Sequence, residues 1–186
     1  MPAIIQKIPA ILLYADMGEM VLLDILVFSD SHSGLSFMRA CINYVKPDVI
    51  VHLGDHYDDG EAIHEEYPHI PIHAVAGNCD RYRAPVSARE MLCYPIGGVM
   101  TFMAHGHNHR VKSGTGAFTA DARRYGAKLA LYGHTHRMDI HQEVDLWVMN
   151  PGACGSFGGS AGLVKITDGE IKACSFITAQ DLEVKI

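Results

Sequence analysis

Apolar runs alternate with amphipathic stretches over the first eighty residues of the chain. Val21 to Ser29 is predominantly apolar, which predicts a strand that is covered on both faces. Leu35 to Val45 has apolar residues at helical spacing and predicts an α-helix. The same criteria predict strands at Val49 to Leu53 and Ile72 to Ala76, with a short helix at Gly60 to Tyr67 between them. This order of elements, with short connections, predicts parallel strands in an α/β sheet.

The second half of the chain has shorter strands that are joined by turns. Strands at Met91 to Tyr94 and Val99 to Ala104 flank Pro95-Ile-Gly-Gly98, which is a hairpin signal. The hairpins predict antiparallel pairing here, so the economical architecture is two sheets face to face with helices outside. The other predicted elements are a helix at Ala117 to Tyr125 and strands at Leu129 to Tyr132, Ile140 to Val144, Leu146 to Met149, Gly162 to Thr167 and Glu170 to Ile177.

Residues 1–19 differ in character from the rest of the chain. Ala3 to Leu13 is apolar, but a lysine and a proline interrupt it, and it is too short to span a membrane. It also lacks the basic start and the cleavage site of a signal peptide. Two interpretations are open: Met20 is the biological start, or residues 1–19 form an arm or extra strand that packs on the domain or a neighbour. Residues 20–186 are expected to form a single domain.

Composition narrows the classes of function. The chain has 186 residues, of which 48% are hydrophobic and 19% charged, which excludes a disordered chain and suits one core. The net charge is −6 and there is no run of lysine or arginine, which argues against non-specific nucleic-acid binding. Five scattered cysteines without a C-x-x-C pair argue against a secreted disulfide scaffold, so a cytoplasmic location is expected. Twelve histidines are the unusual feature.

Side chains that bind metals follow the ends of five predicted strands. Ligands at the carboxyl ends of strands in an α/β sheet converge on one crevice. In the spacings Asp-x-His and His-x-His, both side chains of a pair point the same way if the chain is extended. These side chains are Asp30 and His32, Asp55, Asn78, His105 and His107, and His134 and His136.

The types of donor indicate the kind of metal site. Oxygen and nitrogen donors without thiolate suit Mn, Fe, Zn, Ni or Co. Four histidines, two aspartates and one asparagine are too many for one tetrahedral ion, and they fit two ions that share one carboxylate. Two metal ions about 3.5–4 Å apart are the arrangement used for in-line displacement at phosphorus.

The ordered series Asp-x-His, Gly-Asp, Gly-Asn-x-Asp, His-Gly-His and Gly-His-x-His resembles the calcineurin-like metallophosphoesterase superfamily. The resemblance covers about residues 21–178, and the compact size and the Gly-Asn-Cys-Asp form are similar to its small prokaryotic phosphodiesterase branch, the YfcE type. It implies an α/β fold, a four-layer α/β/β/α sandwich of two mixed β-sheets flanked by helices. It also implies a metal-dependent phosphodiesterase that acts on a small phosphodiester, with no membrane partner.

The resemblance implies a role for each side chain of the series. Asp55 would bridge two divalent cations, with Mn as first choice and Ni, Fe, Zn or Co as alternatives. A hydroxide between the cations would be the nucleophile, so Asp55 and Asn78 are predicted to be catalytic as well as metal-binding. Asp30, His32, Asp55 and His136 would hold the first metal, and Asn78, His105 and His134 would complete the second.

Several roles stay open at the level of the sequence. Cys79 occupies the position at which a histidine is common in the wider superfamily, where that histidine helps to protonate the leaving group. A thiol, with a pKa of about 8.5, is a poor substitute at neutral pH. Cleavage of substrates with difficult leaving groups is therefore in doubt. His107 and His109 either serve the substrate phosphate or proton transfer, or have no such role. Asp80 orients a ligand histidine or caps a turn. Asn150-Pro151-Gly152 is expected to close the wall of the site.

The alternatives to a phosphodiesterase are a non-catalytic interaction scaffold of the same fold, a phosphomonoesterase and a nuclease. All seven predicted ligand positions hold competent residues, which favours an enzyme over a scaffold. The negative net charge weakens the nuclease alternative. Whether the protein forms a homo-oligomer stays open.

Overall fold

Two β-sheets form the centre of the molecule. The computed structural model describes residues 21–155 and 159–183, so the predicted N-terminal segment 1–19 lies outside the described residues. The strands of the first sheet are β1 (Leu22–Phe28), β2 (Val49–His52), β3 (Ile72–Ala74), β9 (Ser160–Thr167) and β10 (Glu170–Thr178). Their order across the sheet is β10-β9-β1-β2-β3.

The second sheet is built from the middle of the chain. Its strands are β4 (Met91–Ile96), β5 (Val99–Ala104), β6 (Leu129–Leu131), β7 (Met138–Glu143) and β8 (Leu146–Pro151), in the order β4-β5-β6-β8-β7. The helices are α1 (Leu35–Val45), α2 (Tyr57–Glu66), α3 (Gly116–Arg124), α4 (Ala179–Glu183) and a short 3₁₀ helix at Val111–Ser113. Within the described ranges, no helix is long and apolar enough to cross a membrane.

Apolar side chains alternate along β1 between two sides of the first sheet, as a doubly covered strand requires. Ile25 and Val27 enter the cluster between the two sheets. Leu26 and Phe28 belong to the cluster that packs against α1 and α2. A third cluster lies between the second sheet and α3, where Phe118 is fully buried. The layers are therefore helix, sheet, sheet, helix, and the predicted α/β/β/α sandwich is confirmed.

The second half contains the predicted antiparallel hairpins, but two strand pairs in it are parallel. β5 pairs with β6 in parallel, and β6 pairs with β8 in parallel. The cause is that α3 carries the chain from β5 to β6 as a crossover, and β7 then forms a hairpin on the far side of β8. The antiparallel hairpins of the described residues are β4–β5, β7–β8 and β9–β10. The last of these belongs to the first sheet, where β9 pairs with β1.

Helix α2 begins at Tyr57, three residues before the predicted start at Gly60. The Asp80 carboxylate accepts hydrogen bonds from the N–H groups of His56 (2.8 Å) and Tyr57 (2.9 Å), which have no partner inside the helix. A residue distant in sequence therefore caps this helix, which local pattern does not reveal. The other predicted elements begin and end within two residues of the observed ones, and α4 and the 3₁₀ helix were not predicted.

Candidate metal centre

The strand ends bring the predicted ligands together in two groups. Ligand atoms of Asp30, His32 and His136 lie within 4.8 Å of one another, as do those of Asp55, His105 and His134. Residues after β1 and β6 form the first group, and residues after β2, β5 and β6 form the second. The groups adjoin, since His105 Nε2 is 4.0 Å from Asp30 Oδ1. The site therefore lies where the carboxyl ends of strands from both sheets meet.

Asp30 is fully buried, and only one of its carboxylate oxygens has hydrogen-bond donors. Oδ2 accepts hydrogen bonds from Ser29 Oγ (2.6 Å) and from the backbone N–H of His134 (3.0 Å). Oδ1 has no hydrogen-bond partner among the described residues and lies 3.0 Å from His136 Nε2. Because a buried carboxylate oxygen is costly to leave unpaired, this atom fits a role as a cation ligand.

His105 turns one ring nitrogen toward two oxygen acceptors. Nδ1 lies 2.7 Å from the carbonyl oxygen of Leu53, so Nδ1 carries the hydrogen and donates it. Nε2 then faces Asn78 Oδ1 at 3.2 Å and Asp55 Oδ1 at 3.5 Å. In the neutral ring this places three electron-pair donors together with no hydrogen between them. Such convergence is unfavourable without a positive charge and fits a bound cation.

The charges around Asp55 and His105 also favour a bound cation in the second ligand group. Burial alone would lower the pKa of His105, but contacts with Asp55 and Asp30 outweigh it and the pKa is raised. Burial alone would raise the pKa of Asp55, but His105 and the N–H of Cys79, 2.8 Å from Oδ1, outweigh it and the pKa is lowered. The carboxylates therefore favour a positive charge at this point, which a proton or a metal ion can supply.

The backbone at the predicted ligands is strained. A positive φ is uncommon outside glycine and costs of order 1–3 kcal/mol per residue. Such strain is typical of functional sites, where the surrounding structure holds the residue in place. Five of the seven predicted ligands have φ between +41° and +67°: Asp30, His32, Asp55, His134 and His136.

Asp80 holds two ligand-bearing loops together. Its carboxylate accepts four backbone hydrogen bonds of 2.7–2.9 Å, from Asp55, His56, Tyr57 and Gly77. Of its two predicted roles, capping turns is therefore the observed one, and no ligand histidine ring bonds to it in the described chain. Through these bonds the loop after β2 is fixed to the loop that carries Asn78.

Asn150, in the segment predicted to close the wall of the site, is fully buried. Its Nδ2 donates hydrogen bonds to the carbonyl oxygen of Gly133 (2.8 Å) and to Thr135 Oγ1 (2.9 Å). Its Oδ1 accepts a hydrogen bond from the N–H of Gly152 (2.9 Å). Asn150 thus positions the turn that carries His134.

His107 and His109, the two histidines that follow His105 in sequence, have different surroundings. The His107 ring lies 5.4 Å from the His105 ring and 6.1 Å from the His134 ring. Its Nδ1 is buried without a partner among the described residues, and burial followed by the nearby His105 lowers its pKa. His109 instead packs against Phe102 and Phe118 and lies 3.2 Å from an aspartate of α3. His107 therefore faces the site, and His109 anchors α3.

Buried hydrogen bonds hold the loop after β1 in place, and the sequence did not indicate them. Ser31 Oγ donates a hydrogen bond to Asp59 Oδ2 (2.7 Å) and lies 3.0 Å from His52 Nε2. Asp59 also accepts a hydrogen bond from the N–H of Ser33 (2.8 Å). These residues are far apart in sequence and show no ligand spacing, so only the fold reveals them.

Two clefts are lined by predicted site residues or by residues next to them in sequence. The first has a volume of about 460 Å³ and is lined by Asn78, Arg81 and His107 together with the segment from Ala84 to Glu90. The second has a volume of about 510 Å³. Its lining includes Lys112, Tyr132, Thr135, Arg137 and Asp139.

Comparison with known families decides the classification. Residues 23–169 match the family model described as the calcineurin-like phosphoesterase superfamily domain. The chain belongs to this superfamily. The family and the four-layer fold that the motif series implied are both confirmed.

Relatives of this calcineurin-like phosphoesterase agree with that classification. A probable metallophosphoesterase of Mycoplasma pneumoniae is 27% identical over 133 residues, which covers 69% of this chain and 77% of the relative. A conserved uncharacterised protein of Streptococcus pneumoniae TIGR4, a predicted phosphoesterase, has a crystal structure that is 26% identical with a TM-score of 0.70. The match covers 86% of this chain and 91% of that one.

The fold is also shared with proteins named for another process. Vacuolar Protein Sorting 29 of Cryptosporidium parvum has a TM-score of 0.67 at 17% identity, and the match covers 84% of this calcineurin-like phosphoesterase and 98% of that chain. At that identity the similarity concerns the fold alone. The activity of this chain must therefore be argued from its own site.

Proposed function

We propose that this calcineurin-like phosphoesterase is a metal-dependent phosphodiesterase whose site holds two divalent cations, with Mn²⁺ as first choice. The observation that carries the proposal is the pair of adjoining ligand groups, with an unpaired buried oxygen in one and converging acceptors in the other. All donors are oxygen or nitrogen, which suits Mn²⁺ and related ions. Adjoining groups fit the close metal pairs used at phosphorus.

Each residue of the site has a role in this proposal. Asp55 belongs to the second ligand group, and its carboxylate, with two oxygens, would serve both cations. The cations would supply the charge that activates a water nucleophile and neutralises the phosphoryl oxygens. His107 lines the first cleft with its ring 5.4 Å from that of His105, and it would hold a phosphoryl oxygen or give a proton to the leaving group. The first cation would be held by Asp30, His32 and His136, and the second by Asn78, His105 and His134.

The two clefts support a diester rather than a monoester as substrate. A phosphodiester has two organic groups on phosphorus, and both must leave the metal site without a clash. Asn78 and His107 line one cleft, and Thr135, which stands between His134 and His136 in sequence, lines the other. Each organic group of a diester therefore has a cleft of its own, whereas a monoester would use only one.

A cytoplasmic location is part of the same proposal. All five cysteines are free thiols. Burial raises the pKa of the Cys41 thiol to about 12, so that thiol is unreactive. Free thiols are typical of a reducing compartment.

Metal removal is the first test of this function. We expect protein treated with a chelator to lose hydrolysis of bis(4-nitrophenyl) phosphate and to regain it with Mn²⁺, because the cations would supply the charge that activates the nucleophile. Release of nitrophenol is measured together with bound metal, for Mn²⁺, Ni²⁺, Fe²⁺, Zn²⁺ and Co²⁺. 4-Nitrophenyl phosphate, the matching monoester, is expected to be the poorer substrate.

Each contrary result identifies a different alternative. Full turnover after exhaustive chelation would contradict a metal-dependent reaction. Preferential cleavage of the monoester would favour a phosphomonoesterase. Binding of metal without cleavage of either ester would favour the interaction scaffold.

The leaving group is the second test, and it concerns Cys79 and His107. Burial and the adjacent Asp55 raise the pKa of the Cys79 thiol, and the proposal gives this thiol no catalytic role. We expect Cys79→Ala to keep turnover of aryl diesters within about tenfold, roughly 1.4 kcal/mol of barrier. We expect His107→Ala to slow diesters with alkyl leaving groups about 10²- to 10⁴-fold, and nitrophenyl diesters much less.

The matched control is His64→Ala, which removes an exposed histidine of α2. It is expected to leave the dependence of rate on leaving-group pKa unchanged. If Cys79→Ala abolished cleavage of aryl diesters while both metals stayed bound, Cys79 would have a catalytic role that the proposal denies it.

A further inference from the structure

Lys112 and Arg137 are two cations that line one cleft and have no anionic partner among the described residues. Neither side chain forms a hydrogen bond or an ion pair with another described group. Among the other described basic residues, Lys46, Arg81, Arg89 and Arg110 form no ion pair either, and seven pair with carboxylates: Arg39, Arg83, Arg123, Arg124, Lys128, Lys165 and Lys172. What distinguishes Lys112 and Arg137 is that both line one cleft, in a chain with a net charge of −6.

This cationic cleft, lined by Lys112 and Arg137, adjoins the candidate metal centre. Arg137 follows the predicted ligand His136 directly in sequence. Thr135, between His134 and His136, lines the cleft as well. A molecule whose phosphorus lies at the metal centre can therefore extend into this cleft.

The acidic residue of the cleft is already engaged. Asp139 Oδ2 accepts a hydrogen bond from the Tyr132 hydroxyl (2.8 Å), and Asp139 Oδ1 lies 3.2 Å from His141 Nδ1. Asp139 is therefore held toward Tyr132 and His141 and forms no ion pair with either cation. The positive charge of Lys112 and Arg137 is left for an anion that enters from solvent.

We propose that Lys112 and Arg137 bind a second phosphate group of the substrate, so that the preferred substrates are phosphodiesters that carry an additional phosphate. This inference rests on the proposed phosphodiesterase function. An arginine fork and a lysine ammonium are the side chains that proteins use most for phosphate. A cleft of about 510 Å³ is large enough for a phosphate and the group that bears it.

The test compares two substrates that differ by one phosphate: thymidine 5′-(4-nitrophenyl phosphate) and its 3′-phosphorylated form. The wild-type protein with Mn²⁺ is expected to have a kcat/KM about tenfold or more higher for the 3′-phosphorylated ester, given the strength of charged hydrogen bonds. Lys112→Ala and Arg137→Ala should each bring this ratio close to one. Lys172→Ala removes the same charge from the exposed side of β10 and should keep the wild-type ratio.

A binding measurement separates this inference from the proposed function. By calorimetry, thymidine 3′,5′-bisphosphate is expected to bind about tenfold more tightly than thymidine 5′-monophosphate, and Lys112→Ala or Arg137→Ala should remove the difference. If that holds while neither ester is cleaved, the phosphodiesterase fails and the phosphate site stands. If both esters are cleaved with equal kcat/KM, or both nucleotides bind equally, Lys112 and Arg137 do not form a phosphate site.

Discussion

Asp55→Asn is expected to lower the amount of bound metal and to reduce kcat/KM on bis(4-nitrophenyl) phosphate by at least about 10³-fold. Changes outside the ligands of a metal site cost about 10- to 100-fold, so loss of a shared ligand charge should cost more. The Asp55 carboxylate contacts His105 at 3.5 Å and accepts a hydrogen bond from the Cys79 N–H. The amide of asparagine has the same shape but lacks the charge for two cations. Metal content and kcat/KM are measured on the same protein.

Asp145→Asn is the control for loss of one negative charge. Asp145 is exposed and forms an ion pair with Lys128, away from the predicted ligands. This variant should match the wild type in metal content and rate, since exposed ion pairs contribute little. Wild-type metal occupancy and turnover in Asp55→Asn would show that Asp55 does not bridge the cations.

Gly77→Ala is expected to have the second-largest effect, through geometry rather than charge. A Cβ at position 77 would lie 2.3 Å from Asp55 Oδ1 and 2.5 Å from the Asp55 backbone nitrogen. The backbone atom cannot rotate away, so the loop after β2 must shift. A displacement of about 1 Å at a catalytic group can cost 10²-fold, and we expect a loss of about that size in kcat/KM. Metal affinity should fall in parallel.

Gly116→Ala is the matched control because a Cβ there has no atom within 4 Å. Gly116 is the first residue of α3, so alanine should leave the protein as stable as the wild type or raise its melting temperature slightly. Wild-type metal affinity and kcat/KM in Gly77→Ala would mean that the loop after β3 does not constrain Asp55.

The sequence predicts the ligand positions because the relevant signals are local. An apolar run and the ligands after it are adjacent in the chain, as in β1 followed by Asp30 and His32. Parallel strands place their carboxyl ends at one edge of a sheet, so ligands after β1 and β2, and those after β5 and β6, are expected to lie close together. The four-layer fold was likewise predictable from the motif series.

The parts that the sequence did not predict depend on contacts between distant segments. Asp80 caps α2 across more than twenty residues, and Asn150 holds the turn at Gly133 and Thr135. The periodicity of apolar residues along the chain gives no information about such contacts. The parallel pairing of β6 was not predicted, because a turn sequence predicts pairing only between the two strands that it connects, and β6 is not part of a hairpin. The positive φ of Asp30 could not be predicted either, since aspartate carries no preference as strong as that of glycine.

The position of β9 in the first sheet has a consequence for how the protein is made on the ribosome. Leu22 of β1 pairs with Thr167 of β9, so the two partners are synthesised far apart in time. Until β9 emerges, β1 pairs only with β2 and its other edge is open to other chains. The chain between β1 and β9 forms a long loop, and bringing its ends together also slows folding. Nascent chains that stall before residue 160 should therefore be the form that aggregates and recruits chaperones.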